Sequence, residues 1–473
     1  MNGPAAAEGR RTYGAAGGTG APWRVNGAYR RLCTAVTVSE TGDWLLFIAL
    51  PLYMLEVSGS ALDTSAVFLA ELVPAVLTGT VCGPLIDRFN PGRLLASLTG
   101  LQALVVLPLL WAGPGSVWLV YAVAAVQAAF TSLTTPAQQA VVPLLVEPRQ
   151  VTSSNAMVEM ASNAARLIGS PLGGLLLPAL GLRGLVTADI ATFLVSAALL
   201  ARPRSASSGP RSALPVGHSG LLSAVTEGWH AARASATLLT ALVISFLAAV
   251  AQGLFLVLFI LFVLRSLHAG DQVVGLLRGV QAIGGVLGGL LAATWARRLR
   301  ARHQAVWGLT AFALLSALCW NSPAFTTASW WYVTLFIAVG IPATALSTGL
   351  ITGTQQASPP RLRGRILSLV TVAQALGQAA GILAAGLLSA VTSLTVLLNA
   401  QAGCYLACAL IAISGFDHCK PMLSTANAPR ATNPKRPSPA NAPALSPGTV
   451  KSLQNRTVGA LRPGRAEPPP PSA

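Results

Sequence analysis

The sequence predicts an all-α integral membrane protein of twelve transmembrane helices in two six-helix bundles. Three observations carry that expectation. The 473 residues are 53% hydrophobic and only 10% charged, with a mean hydropathy of +0.62, and no water-facing surface of this size is built from that balance. Apolar runs of about 20 residues recur, each long enough to cross a hydrocarbon core of about 30 Å as an α-helix, whereas the strands of an outer-membrane barrel would alternate over about 10 residues. The longest interior break, 203–235, divides these runs six and six.

Taken in order, residues 1–31 are Gly/Ala-rich and polar, with no apolar segment of the kind a cleavable signal needs. They are expected to form a cytoplasmic N-terminal segment, with the first crossing retained. The N-terminal bundle, 32–202, places its crossings near 32–56, 61–86, 94–112, 116–138, 155–178 and 184–202. Residues 203–235, containing "RPRSASSGPRSALPVGHSG", read as a flexible cytoplasmic linker. The C-terminal bundle, 236–415, follows with crossings near 236–264, 271–296, 304–320, 329–353, 366–389 and 393–415. The tail, 416–473, rich in Pro, Ala, Ser and basic residues, cannot bury a core and reads as disordered and cytoplasmic.

The net charge of +17 does not point to nucleic acid, because the basic residues collect on one side of this topology. Arg30 and Arg31 precede the first crossing, Arg88 and Arg93 follow the second, Arg202 and Arg204 follow the sixth, and Arg297, Arg298 and Arg300 follow the eighth. The opposite loops hold Arg183 and Arg265. The positive-inside rule then places both termini in the cytoplasm of a cell whose inner or plasma membrane the chain crosses repeatedly.

Several chemistries lack their residues. No GxxxxGK[ST] phosphate loop, GxSxG elbow or HExxH helix occurs. The five histidines are scattered through loops and helix ends, and the six cysteines form no metal-type pair. Neither enzyme activity nor a metal or other cofactor is expected.

What the sequence does hold is charge at depth. At 1.5 Å per residue, Asp43 lies about 17 Å into the first crossing, Glu71 about 15 Å into the second and Arg166 about 17 Å into the fifth. Facing lipid, each would cost about 2.5–3.5 kcal/mol even on a lenient insertion scale, so they are expected to face a watery cavity or one another. Glu40, Trp44 and Phe47 share a helix face with Asp43, a stripe suited to a bulky, partly apolar and cationic substrate. A permanent ion pair of either acid with Arg166 is the structural alternative. Arg278 is near enough to the outer end of the eighth crossing to snorkel. Asp189 falls near a helix end, where interfacial solvation accounts for it. Gln252, Gln281 and Gln374 can bond substrate or a neighbouring helix.

Two motifs carry a resemblance. "GPLIDRFNPGRLL", 83–95, resembles the loop between the second and third helices of the major facilitator superfamily, roughly G-x-x-x-D-R-x-G-R. The resemblance assigns Gly83 to close helix approach and Asp87 and Arg88 to a latch on the cytoplasmic gate, with Gly92 and Arg93 completing the pattern after the departure at Asn90-Pro91. "GDWLLFIALPLYMLEVSGS", "TTPAQQAVVPLLVEPRQVTSSNAM", "ARLIGSPLGG" and "PPRLRGRILSL" resemble the macrolide-efflux-like branch of drug:proton antiporters over most of residues 35–400. Within "ARLIGSPLGG", Gly169, Pro171, Gly173 and Gly174 resemble the antiporter motif G-P-x-x-G-G, whose small residues permit close helix packing.

The resemblance implies a secondary active transporter that exports a small organic compound, such as a drug, an antibiotic-like metabolite or a siderophore, by proton antiport with alternating access. A carboxylate in a partly dry cavity can load and release protons near neutral pH, and the "GD" pattern favours Asp43 for that task, with Glu71 beside it. The partners expected are a small-molecule substrate, protons and the lipid bilayer, with no nucleic acid and a monomeric chain. A proton-coupled metabolite importer and a non-transporting receptor or scaffold are the alternatives.

Overall fold

The computed structural model describes residues 26–78, 89–147, 150–201, 229–230, 233, 235–294, 301–359 and 362–415. All of them fall within one compact unit, Met1–Cys419; a second, Lys420–Ala473, lies outside the described residues. So do Gly83, Asp87 and Arg88 of the gate motif, most of the linker expected over 203–235, and the tail.

Every regular element among the described residues is helical. The first bundle comprises α1 (Gly27–Ser58), α2 (Ala61–Thr78), α3 (Pro91–Val106, continued as a 3-10 turn through Trp111), α4 (Val117–Leu145) and the long helix Val151–Ala201. The long helix is broken at Gly181, whose φ of 62° and ψ of 178° are non-helical, so it divides into α5 (151–180) and α6 (182–201). At 1.5 Å per residue an unbroken helix of 51 residues would reach about 75 Å, more than twice a bilayer core of about 30 Å. The second bundle comprises α7 (Ala236–Leu261), α8 (Asp271–Thr294), α9 (Ala301–Asn321), α10 (Ser329–Ala357), α11 (Arg363–Leu388) and α12 (Leu394–Gly415).

Local chemistry sets the ends. Asn26 caps α1 by accepting from the amides of Ala28 and Tyr29, and Gly59 closes it in the left-handed conformation at φ 68°. Asn90 likewise caps α3, with Pro91 at its first position. The Asn90-Pro91 departure from the family's gate pattern thus begins a helix, putting Gly92 inside the protein and Arg93 on its surface. Among the described residues, ten helices are long and apolar enough to cross a membrane, the interrupted Ser153–Ala201 counting as one.

Packing tells the two membrane faces apart. One apolar core joins the bundles: Leu45, Phe68 and Leu185 of the first share it with Phe259, Leu277 and Ile382 of the second. Toward the face where α1 begins, the cores separate. Tyr29, Leu95, Val141 and Leu200 cluster within the first bundle, while Ile244, Leu309 and Ala412 cluster within the second. The joined face is sealed where small residues let backbones meet. A Cβ added at Gly174 of α5 would fall onto the Asp271 carbonyl of α8, and one at Gly386 of α11 onto Ser65 of α2. The bundles are therefore closed against each other on one face and apart on the other.

Candidate functional site

A cavity of about 600 Å³ lies between the bundles. Its wall draws Glu40, Asp43, Trp44 and Phe47 from α1, Glu71 from α2, Gln102 from α3, Gln127 from α4, Asp189 from α6, Gln252 from α7, Arg278 from α8 and Gln378 from α11. Eight helices thus converge on one space, as expected when polar side chains must avoid lipid.

The acids gather. Asp43 Oδ1 accepts a hydrogen bond from Gln127 Nε2 at 3.2 Å, and Glu71 and Asp189 both lie within electrostatic reach of Asp43. Asp43 and Glu71 are half-buried, while Asp189 is fully buried. Asp189 Oδ1 accepts from Thr192 Oγ1 at 3.3 Å, and its Oδ2 is buried with no partner. Arg278 shares their cavity wall, but no arginine hydrogen bond reaches any of the three among the described residues.

The arginines gather elsewhere. Arg166 Nη2 donates to Gln281 Oε1 at 2.6 Å, and Arg278 Nη1 donates to the same oxygen at 3.2 Å. The Arg166 guanidinium lies 4.9 Å from the centroid of the Trp44 ring, and that of Arg278 lies 5.8 Å from Phe47 and 5.1 Å from Phe255. Trp44 and Phe47 meet edge to face at 5.1 Å. The two rings expected to receive a cationic substrate thus already carry cations of this chain.

The glycines of α5 serve two neighbours. A Cβ at Gly169 would strike the Thr41 carbonyl and one at Gly173 the Leu45 backbone, both on α1, whereas Pro171 and Gly174 pack on Gly279 and Gly275 of α8. This stretch holds the first bundle together on one side and forms the closed seam on the other.

Residues 18–440 match the family described as transmembrane secretion effector. The chain belongs to this family. Its members are transporters of the major facilitator type rather than enzymes, and this transporter is a multi-pass membrane protein with their fold. A segment of 170 residues is 27% identical to an uncharacterised MFS-type transporter, YfiS, of Bacillus subtilis (strain 168). That match spans 36% of this chain and 40% of YfiS, well under the relative's whole length. Among solved structures, a mutant of the nucleoside transporter NupG superposes with a TM-score of 0.70 at 11% identity, over 82% of this chain and 100% of that one. A bacterial homologue of the human lysosomal transporter Spinster, inward-facing and unoccupied, superposes at 0.62 with 14% identity, over 82% and 94%. A bacterial homologue of the iron transporter ferroportin, inward-facing, does so at 0.61 with 16% identity, over 82% and 98%. These likenesses concern the fold.

Against the sequence-based expectations, the transporter brings Asp43, Glu71, Glu40, Trp44 and Phe47 together in one cavity wall. Arg166 stands behind that wall and forms no ion pair with Asp43 or Glu71; its acceptor is Gln281. Arg278 does not snorkel: it is 7% exposed and turned inward. Asp189 is not solvated at a helix end, because α5 and α6 leave it well inside α6 and Gly42 makes room for its carboxylate. Gln374 is exposed, and Gln378, one turn on, takes the cavity position. Gln102 and Gln127 were legible only as amides in apolar helices.

Proposed function

We propose that this transporter exports a small organic compound from the cytoplasm against inward proton flow, by alternating access. The observation that carries this reading is the cluster of Asp43, Glu71 and Asp189 at a cavity between two bundles, none of them hydrogen-bonded to a basic side chain among the described residues. Intramembrane carboxylates held without a counter-charge are costly, and proton relays are among the functions that retain them. Asp43 exchanges the proton, Gln127 holds its carboxylate in place, and Glu71 shares the task.

The basic loops support a cytoplasmic location for the face where α1 begins, and therefore for both termini. On that assignment the cavity faces the cytoplasm in this state and the sealed face is external. Rocking the bundles about the site would open the Gly174–Asp271 and Gly386–Ser65 seams and release substrate outside. The loop with Gly83, Asp87 and Arg88 would latch the cytoplasmic side in that second state, with Gly92 and Arg93 at the start of α3. The resemblance to macrolide-efflux-like antiporters and the family's description both support outward movement. Each chain encloses its own cavity, which supports a monomer in the cell's inner or plasma membrane.

The test is a flux measurement on proteoliposomes with a panel of fluorescent aromatic compounds and an imposed pH gradient. Export requires accumulation on the acidic side, abolished by a protonophore and by Asp43→Asn. Accumulation on the other side would mean import, and movement that ignores the gradient would remove proton coupling.

A further inference from the structure

The proton reading uses the acids and leaves two buried cations unexplained. Arg166 on α5 and Arg278 on α8 come from opposite bundles and lie within electrostatic reach of each other. Neither is hydrogen-bonded to a carboxylate among the described residues, although Arg278 shares its cavity wall with Glu40, Asp43 and Glu71. What they share is Gln281 Oε1, a neutral oxygen that accepts from both at 2.6 and 3.2 Å. A neutral amide satisfies hydrogen bonds but cancels neither charge. Arg166 Nε, moreover, is buried with no acceptor. Two like charges that share a neutral acceptor and bond to no anion are poorly placed as a structural brace, since each raises the cost of burying the other.

We infer that Arg278 and Arg166, bridged by Gln281, form a subsite for an oxyanion of the transported compound, so that the substrate carries a carboxylate or a chemically equivalent group beside an aromatic or apolar body. Arg278 reaches the cavity directly, and Arg166 stands behind Trp44 and adds its charge through the shared acceptor. A carboxylate oxygen that meets Arg278 from the cavity would receive charge-assisted bonds, which are shorter and stronger than those to an amide. The apolar body would lie along Phe47 and Leu256, which line the cavity with Arg278.

The position also gives the subsite a direction. Pro171 and Gly174 of α5, which close on Gly279 and Gly275 of α8, lie within eight residues of Arg166 and Arg278. The subsite sits just inside the sealed seam and is assembled from both sides of it. Opening the seam would pull the two arginines apart, so affinity would fall as the cavity turns to the opposite face. This inference rests on the transport reading for its direction, while the anion preference itself needs no gradient.

Equilibrium binding to the full chain in nanodiscs tests it, with 1-naphthoate, 1-naphthamide and 1-naphthylmethylammonium as probes of one shape and three charges. The expected result is an acid affinity at least tenfold above the amide. That preference should shrink below twofold in Arg278→Gln and return in part in Arg278→Lys. A naphthoate that fails to bind, that binds no better than the amide, or whose preference survives Arg278→Gln would overturn the subsite. A ligand-free readout accompanies it: removing one of two unneutralised cations should raise the melting temperature of the empty protein in Arg278→Gln, whereas a structural brace predicts a fall. Gradient-driven flux without an acid preference would leave transport standing and remove the anion subsite. An acid preference without flux would do the reverse.

Discussion

Gly42 of α1 lies directly against the carboxylate of Asp189 on α6: a Cβ at the glycine would fall onto Asp189 Oδ1 and Thr192 Oγ1. The glycine adjoins Asp43, so the absence of one methyl group lets two acids from different helices occupy a common wall. Gly42→Ala should push Asp189 from its pocket. Overpacking of this kind costs about 1–3 kcal/mol. The expected outcome is a protein that still folds, with a melting temperature lowered by a few degrees and flux reduced at least tenfold. A variant with full flux would separate Asp189 from the mechanism.

Asp43→Asn keeps an acceptor for Gln127 Nε2, now 3.2 Å from the carboxylate, but cannot exchange a proton. Binding of the neutral probe 1-naphthamide should persist within about threefold, while flux loses its dependence on the pH gradient. Binding and flux lost together would make Asp43 a structural or substrate-holding group instead. Glu71→Gln should weaken the gradient dependence less if Asp43 is the principal carrier.

Two adjacent glycines on α5 should fail differently. A side chain at Gly173 meets the Leu45 backbone within its own bundle, so Gly173→Val should destabilise the protein by about 1–3 kcal/mol, read as a lowered melting temperature. At Gly174 the obstacle is the Asp271 backbone across the seam. Gly174→Val should leave the bundle intact and favour the state open on the other face. A cysteine replacing the fully buried Ser65, in a background without native cysteines, should then react faster with a maleimide than in the parent. Equal labelling would mean the seam does not set the equilibrium.

Trp44 holds the Arg166 guanidinium against its ring face at 4.9 Å, a contact worth about 0.5–2 kcal/mol. Trp44→Leu should weaken binding of 1-naphthoate several-fold more than binding of 1-naphthamide, measured in the same titration. Equal losses would assign Trp44 to the apolar body of the ligand alone.

The helices were legible because apolar length is set by the bilayer. The crossing expected at 329–353 is Ser329–Ala357, and that at 366–389 is Arg363–Leu388. The fixed rise per residue put Asp43, Glu71 and Arg166 at one level, and of these Asp43 and Glu71 line one cavity while Arg166 does not. Rotation about the helix axis was not. In a helix apolar on all sides, no stripe marks the inward face, so Arg278 read as able to snorkel and Gln374 read as able to bond substrate. The pairing of Arg166 with Gln281 depends on two bundles meeting at glycines far apart in the chain. That relation has no local signal. Asp189 read as solvated for a related reason: the pocket that buries it is made by Gly42 of α1, which no signal near Asp189 reveals.

The central claim is that the carboxylates around Asp43 exchange protons for substrate. It is tested most directly by recording lumenal pH in inside-out vesicles with an acidic interior as a transported compound is added outside. The account predicts compound-dependent alkalinisation of the lumen in the parent and none in Asp43→Asn. Compound uptake with no lumenal pH change in the parent, or the same alkalinisation in both proteins, would contradict it.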